Sequence, residues 1–367
     1  MNPRTLPRGR SVITKQAMTY HSVRCAAALV LLLSACGEDS SGEGGSDTSE
    51  GNATEAETDD PTDDPTDDPT EEPTEDPTEE PTTDPTDADD TGNDDTGNDD
   101  TGSGVLEPLM PLVTGTCPTF AEGDLMFNPA GIEPRTVRVW MDDIAYDGGG
   151  RLQFYFHGTG GSPMEAEWGY NHWDTNNIDL VTAAGGIVVA PYNDPATGQF
   201  PWFLTSGDRD DDLLLMDEVV ACAVQELGVD LHKIHSAGFS AGGLHTSKAS
   251  FLRSVYLASV VIYSGGFPAP GYQPWDSEPD NAFAAMVVHG GQTDTYGGTV
   301  NFLELSQYYI DELLGTGRVA IECNHEMGHL VGPQQNAVHQ FLTDHPWGAA
   351  PYDGGLPAEF PEYCSVR

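Results

Sequence analysis

Apolar positions in this chain form short near-continuous runs set between longer stretches of helical period, most of them after residue 104. The near-continuous runs are 137–145, 152–156, 186–192, 233–239, 258–263, 285–289 and 318–323. Continuous rather than alternating apolar character predicts strands covered on both faces, the habit of a parallel sheet. Between them, 213–227, 241–253 and 302–314 read as helices. Asp147-Gly148-Gly149-Gly150 predicts a hairpin turn joining the first two strands. Strands alternating with helices over about 260 residues predict one α/β domain, a mostly parallel, doubly wound sheet spanning 105–367. In such a sheet, functional groups collect at the carboxyl ends of the strands.

Several of those ends carry chemistry. Strand 233–239 runs into Gly238-Phe239-Ser240-Ala241-Gly242, a Gly-x-Ser-x-Gly turn followed directly by a helical stretch. A serine on such a turn is held at strained dihedrals with its hydroxyl exposed, and the next helix aims its N–H groups at developing charge. Strand 152–156 ends in His157-Gly158-Thr159-Gly160-Gly161, a corner able to point backbone N–H groups at an oxyanion. Strand 285–289 delivers Asp294 just beyond its end, and strand 318–323, read as the last strand, precedes His325 and His329.

The order Ser, Asp, His, together with these local matches, resembles the α/β-hydrolase superfamily over roughly residues 130–345. Within it the chain is similar to secreted esterases grouped with polyhydroxybutyrate depolymerases, feruloyl esterases and acetylxylan esterases. The resemblance rests on His157-Gly158, Gly238 to Gly243, His289-Gly290 with Asp294, and Gly328-His329, with a weaker match at Trp202-Phe203. It implies that Ser240 is the nucleophile, His329 the base and Asp294 its orienting acid. It further implies an oxyanion hole formed by the backbone N–H groups of Thr159 and Ala241, with no cofactor and no metal. Trp202, Phe203 and His157 are candidate substrate contacts, and Trp168, Tyr170 and Trp173 candidate cleft residues. For His157 and His289, burial with backbone partners is the simpler reading.

Competing readings exist for several residues. His325-Glu326-Met327-Gly328-His329 spells the H-E-x-x-H pattern of zinc endopeptidases, which needs a helix to bring both histidines to one ion. Here a strand-like run precedes it, Gly328 lies inside it and Pro333 follows, so a loop is expected. His325 is an alternative base; Asp276 and Asp280 are alternative acids, although both precede the strand that should present one. Asp208, Asp210, Asp211 and Asp212 look like a calcium cluster, but acids opening a helix complement its dipole. A hydrolase-fold serine peptidase and a catalytically silent binding module are the remaining rivals.

Composition changes the picture at the ends. Arg4, Arg8, Arg10, Lys15 and Arg24 precede an apolar run, 25–33, too short to span a bilayer as a helix. Leu33-Ser34-Ala35-Cys36 resembles a bacterial lipobox, which implies that 1–35 is a signal peptide and that Cys36 carries a lipid anchor. The segment 36–104 has no Lys, Arg or aromatic residue, and Asp-Asp-Pro-Thr repeats help it hold 27 of the 60 acidic residues. Such composition predicts a disordered acidic tether. The remaining 33 acids against nine Lys and Arg make nucleic acid a poor partner and suit a neutral ester, including a polymeric one. Cys117, Cys222, Cys323 and Cys364 form an even set without zinc-type spacing, so two disulfides are expected. Three pairings are open, of which Cys323 with Cys364 would lock the C-terminal tail near the loop bearing the base. The expected protein is thus a monomeric serine esterase, lipid-anchored at the bacterial cell envelope or extracellular.

Overall fold

The computed structural model describes residues 107–143, 148–204, 209–272, 274, 283–350 and 352–367. The signal segment, Cys36 and the acidic tether lie outside the described residues. Everything described belongs to one compact unit that contains Val105–Arg367.

The strands are β1 (Gly123–Phe127), β2 (Arg135–Trp140), β3 (Leu152–Phe156), β4 (Ile187–Pro191), β5 (Ile234–Phe239) and β6 (Ser259–Tyr263). They continue with β7 (Ala284–His289), the short β8 (Thr295–Tyr296) and β9 (Val300–Asn301), β10 (Ala320–Asn324) and β11 (Cys364–Val366). The helices are α1 (Ala166–Tyr170), α2 (Asn177–Ala183), α3 (Asp211–Leu227), α4 (Ala241–Leu252), α5 (Phe302–Gly315) and α6 (Gln335–Asp344). Nine strands form one sheet in the order β1-β2-β4-β3-β5-β6-β7-β10-β11, and β8 pairs only with β9. The six from β4 to β10 are mutually parallel, while β2 and β11 run antiparallel to their neighbours. No helix among the described residues is long and apolar enough to cross a membrane.

Continuous apolar runs are explained by the two cores. In β3, Phe154 and Phe156 face the layer that holds α3, α4 and α5, whereas Tyr155 faces the layer of α1, α2 and α6. The same alternation divides Val260 and Ile262 of β6 from Val261 and Tyr263. A period of two therefore persists, but both of its faces are dry.

Two sequence expectations are corrected. The turn at 147–150 does not close a hairpin, because β4 lies between β2 and β3, pairing antiparallel with the first and parallel with the second. Gly150 instead packs on the Gly185 carbonyl, where a Cβ would stand 1.7 Å away. Nor is β10 the last strand, since β11 returns beside it with Cys364 opposite Cys323. That pair is disulfide-bonded, as is Cys117 with Cys222 of α3. Around the second bond, Glu218 accepts hydrogen bonds from the N–H groups of Thr114 (2.8 Å) and Gly115 (2.9 Å), tying the N-terminal segment to α3.

Candidate active site

The chain leaves the sheet at Phe239 and enters α4 at Ala241, so Ser240 turns the corner alone with φ 56° and ψ −117°. A left-handed φ costs a residue with a side chain of order 1–3 kcal/mol, a strain that surrounding contacts must hold. The Ser240 N–H donates to Tyr263 O at 2.9 Å and the Ser240 carbonyl accepts from Leu244 at 2.9 Å. The flanking glycines answer to packing: a Cβ on Gly238 would lie 2.2 Å from Gly242 O, and one on Gly242 1.8 Å from Phe156 O. Only glycine lets α4 ride that close to β3 and β5.

Asp294 follows β7 after the single turn Gly291–Thr293. Its carboxylate is wholly buried. Oδ2 accepts from the Gly290 N–H and the Ser264 hydroxyl, both at 2.8 Å. Oδ1 accepts from His329 Nδ1–H at 2.7 Å, and His329 Nε2 lies 3.0 Å from Ser240 Oγ. With Nδ1 donating to the carboxylate, Nε2 is left as the acceptor for the serine hydroxyl. The three side chains therefore meet in one line, and the arrangement can move the hydroxyl proton to the imidazole opposite a fixed negative charge.

Two backbone donors border the same point. As the first residue of α4, Ala241 has an N–H without an intrahelical partner. Thr159 sits in a turn closed by the Gly161 N–H donating to Gly158 O at 3.0 Å, with Gly160 at φ 77°. Thr159, Ser240 and Ala241 all line a cavity of about 350 Å³. Phe200, Trp202, Phe203, Leu244, Phe267 and Phe302 make most of its wall apolar. Lys248 lines it too; its ammonium donates to Phe203 O at 3.2 Å and stands 3.7 Å from Asp210, and burial lowers its pKa.

Trp202 and Phe203 are thus on the cavity. His157 is not: it lies behind Trp202, 2% exposed, with Nδ1–H donating to Gly158 O at 2.9 Å while Trp202 Nε1–H donates to His157 O at 2.8 Å. Trp168 and Trp173 are exposed away from the cavity lining, and Tyr170 is buried with its hydroxyl on Phe154 O. His289 has both a backbone and a carboxylate partner: Nδ1 accepts from the Gly291 N–H at 3.3 Å, and Nε2 lies 2.9 Å from Glu322 Oε1.

The segment 325–329 is irregular, not helical, and its two imidazoles have separate partners. His325 Nδ1 accepts from the Met327 N–H at 3.1 Å and has no bond to Ser240. Among the described residues no group of three His, Cys, Asp or Glu is placed to hold a metal ion. The acids opening α3 do more than face its dipole: Asp212 is buried against Arg135 (3.1 Å) and accepts the Phe203 N–H at 2.7 Å, fixing the aromatic wall of the cavity. Asp208, Asp276 and Asp280 lie outside the described residues.

Sequence reading missed three contributors. Ser264 directly follows β6, and the carboxyl-end rule applied to strand 258–263 would have found it. Glu165 accepts the Gly158 N–H at 3.0 Å and the Tyr155 hydroxyl at 3.2 Å. Phe302, which opens α5, stacks on the His329 ring.

No family model matches the chain and no curated protein matches it. Solved structures do. The native structure of sOPH superimposes with TM-score 0.54 at 18% identity, covering 69% of this chain and 97% of that one. A serine-to-alanine variant of pOPH with pNPB gives 0.52 at 17% identity, covering 70% and 96%. The Bacillus cereus carboxylesterase gives 0.43 at 15%, covering 57% and 93%. Six parallel strands flanked by helices on both faces, a strained serine between β5 and α4, and the sOPH and pOPH superpositions agree: this chain has the α/β-hydrolase fold.

Proposed function

We propose that the protein hydrolyses carboxylic esters by acyl transfer through Ser240 to water. The observation that carries this reading is the line Ser240–His329–Asp294, with contacts of 3.0 and 2.7 Å ending on a carboxylate that has no solvent exposure. Ser240 Oγ attacks the ester carbonyl carbon while His329 Nε2 takes the hydroxyl proton and Asp294 faces the imidazolium. The tetrahedral oxyanion receives the N–H groups of Ala241 and Thr159, each worth about 3 kcal/mol by analogy with single-donor deletions. Collapse expels the alcohol, which leaves with the proton from His329. Water then repeats the cycle on the acyl-enzyme and releases the carboxylic acid. The chemistry calls for no cofactor.

The cavity speaks for the substrate class. About 350 Å³ of mostly aromatic and aliphatic wall accommodates a feruloyl group or a polyester segment, whereas an acetyl group would leave it largely empty. The folded part's surplus of acids favours a neutral substrate. Export follows the same reading: the lipobox-like Cys36 anchors the protein at the envelope, and two disulfides suit an oxidising compartment. Fatty-acid labelling of the full chain, abolished by Cys36→Ala, tests the anchor. For the reaction, a fluorophosphonate should add to Ser240, and S240A should lose hydrolysis of p-nitrophenyl esters across acyl lengths. Absence of an adduct, or ester turnover that survives S240A, ends the proposal.

A further inference from the structure

The corner that carries Thr159 is held from two sides. On one side, the Gly158 carbonyl accepts from Gly161 N–H at 3.0 Å and from His157 Nδ1–H at 2.9 Å. A trans peptide is planar with its C=O and N–H opposed, so fixing that oxygen fixes the direction of the Thr159 N–H. On the other side, the Gly158 N–H donates to Glu165 Oε1 at 3.0 Å. Tyr155, wholly buried in β3, gives the same oxygen its hydroxyl at 3.2 Å. The corner also lies against the nucleophile, since a Cβ on Gly158 would stand 3.3 Å from Ser240 Cβ and 3.1 Å from Phe239 Cδ1.

Glu165 is half-buried in the short turn Pro163–Glu165, and among the described residues no basic side chain is bonded to it. Burial pushes its carboxyl above the ordinary range, against the Gly158 and Tyr155 hydrogen bonds and the charge of His329. A carboxylate beside a developing oxyanion is unfavourable as a charge. It is useful as an acceptor, because without it the Gly158 N–H would lose its partner and the His157–Gly158 peptide, next to the one that carries the Thr159 N–H, an anchor.

We propose that Glu165 is a positioning residue: by accepting the Gly158 N–H it aims the Thr159 N–H at the oxyanion formed on Ser240 attack. This rests on the esterase reading above. The acceptor oxygen, not the charge, is the working part, and substitutions separate the two. E165Q keeps an acceptor at the same reach and removes the charge. E165D keeps the charge and withdraws the oxygen by one methylene, and E165A removes both.

The test measures kcat and KM on a p-nitrophenyl ester together with the inhibition constant of a trifluoromethyl ketone, which forms an oxyanion on the serine. Deleting a whole donor costs roughly 10²–10³-fold in kcat; a misaimed one should cost about tenfold. E165D and E165A should lose that factor in kcat and in ketone affinity alike, with KM unchanged, while E165Q stays within about threefold of the parent. If E165A fails to fold, E165D against E165Q decides alone. E165Q falling as far as E165D, or losses confined to KM, would overturn the proposal. A parent protein that neither hydrolyses esters nor labels at Ser240 would bring down the esterase reading, and this inference with it. A parent that does both, with silent variants, would bring down this inference only.

Discussion

Phe302 stacks on the imidazole of His329, ring centroids 4.5 Å apart and planes 12° from parallel, while its own N–H donates to Asp294 O at 2.9 Å. One residue thereby touches both the His329 ring and the segment that presents Asp294. Phe239, next to Ser240, packs on the same imidazole at 4.8 Å. Hydrogen bonds set where the ring edges point, and the phenyl contacts remove the remaining rotation. F302L keeps apolar volume but loses the flat face. It should lower kcat/KM between about 10- and 100-fold, the range for a misplaced reacting group, with a smaller effect on melting than F302A. Unchanged turnover in F302L would show that the hydrogen bonds alone orient His329.

Ser264 supplies one of the three hydrogen bonds on the Asp294 carboxylate, and it does so from φ 47°. A non-glycine residue kept in that region is held by its surroundings, and here the hydroxyl-to-carboxylate contact gives the reason. Hydrogen bonds to charged groups are worth about 1.5–3 kcal/mol. S264A should therefore slow ester turnover by about tenfold and slow fluorophosphonate labelling of Ser240 in parallel. If labelling keeps its rate, the Asp294 carboxylate is sufficiently held by Gly290 and His329.

What was legible in the sequence followed strand ends. Ser240, Asp294 and His329 each come shortly after an apolar run, and the carboxyl-end rule gathers such positions whatever the strand order. Strand order itself was not legible: nothing in the glycines at 148–150 says that β4 will slide between β2 and β3. Glu165 and Phe302 were missed for a related reason, since their roles depend on contacts with Gly158 and His329 across the fold. For His157 the simpler of the two readings, burial with a backbone partner, is the one the structure shows, because proximity in sequence to the corner does not tell which side of it a ring occupies. The cysteine pairing became definite only with β11, whose register sets Cys364 opposite Cys323.

That disulfide and its companion should carry much of the stability. Cys323 and Cys364 are 41 residues apart, Cys117 and Cys222 105 apart. On the loop-entropy estimate the bonds contribute about 4 and about 5 kcal/mol. C364A frees β11 and the tail beside β10, from which the His329 loop departs. Its melting midpoint should drop by several degrees and its activity should fail at lower temperature than the parent's. Equal midpoints for parent and C364A, measured by circular dichroism under oxidising conditions, would refute the assignment.

Acid lability should begin near neutrality, and two histidines remote from solvent should contribute to it. His235, bonded to Ser259 Oγ at 2.8 Å, and His245, whose nitrogens have no hydrogen-bond partner among the described residues, are wholly buried, and burial pushes both well below the ordinary range. Unfolded, each takes up a proton as pH falls through about 6.5; folded, neither does until much lower pH. The unfolded state then binds more protons, so stability is full above about pH 6.5 and declines below it by about 1.4 kcal/mol per pH unit for each histidine. His245 lies 4.3 Å from Phe156 and 5.8 Å from Trp202, an apolar setting that a leucine of similar volume fits. H245L should leave stability at pH 8 within about 1.5 kcal/mol of the parent and lower the slope of unfolding free energy between pH 6 and 5 by about 1.4 kcal/mol per pH unit. Urea titrations at those three pH values measure it, and parallel slopes for parent and H245L would remove His245 from the account.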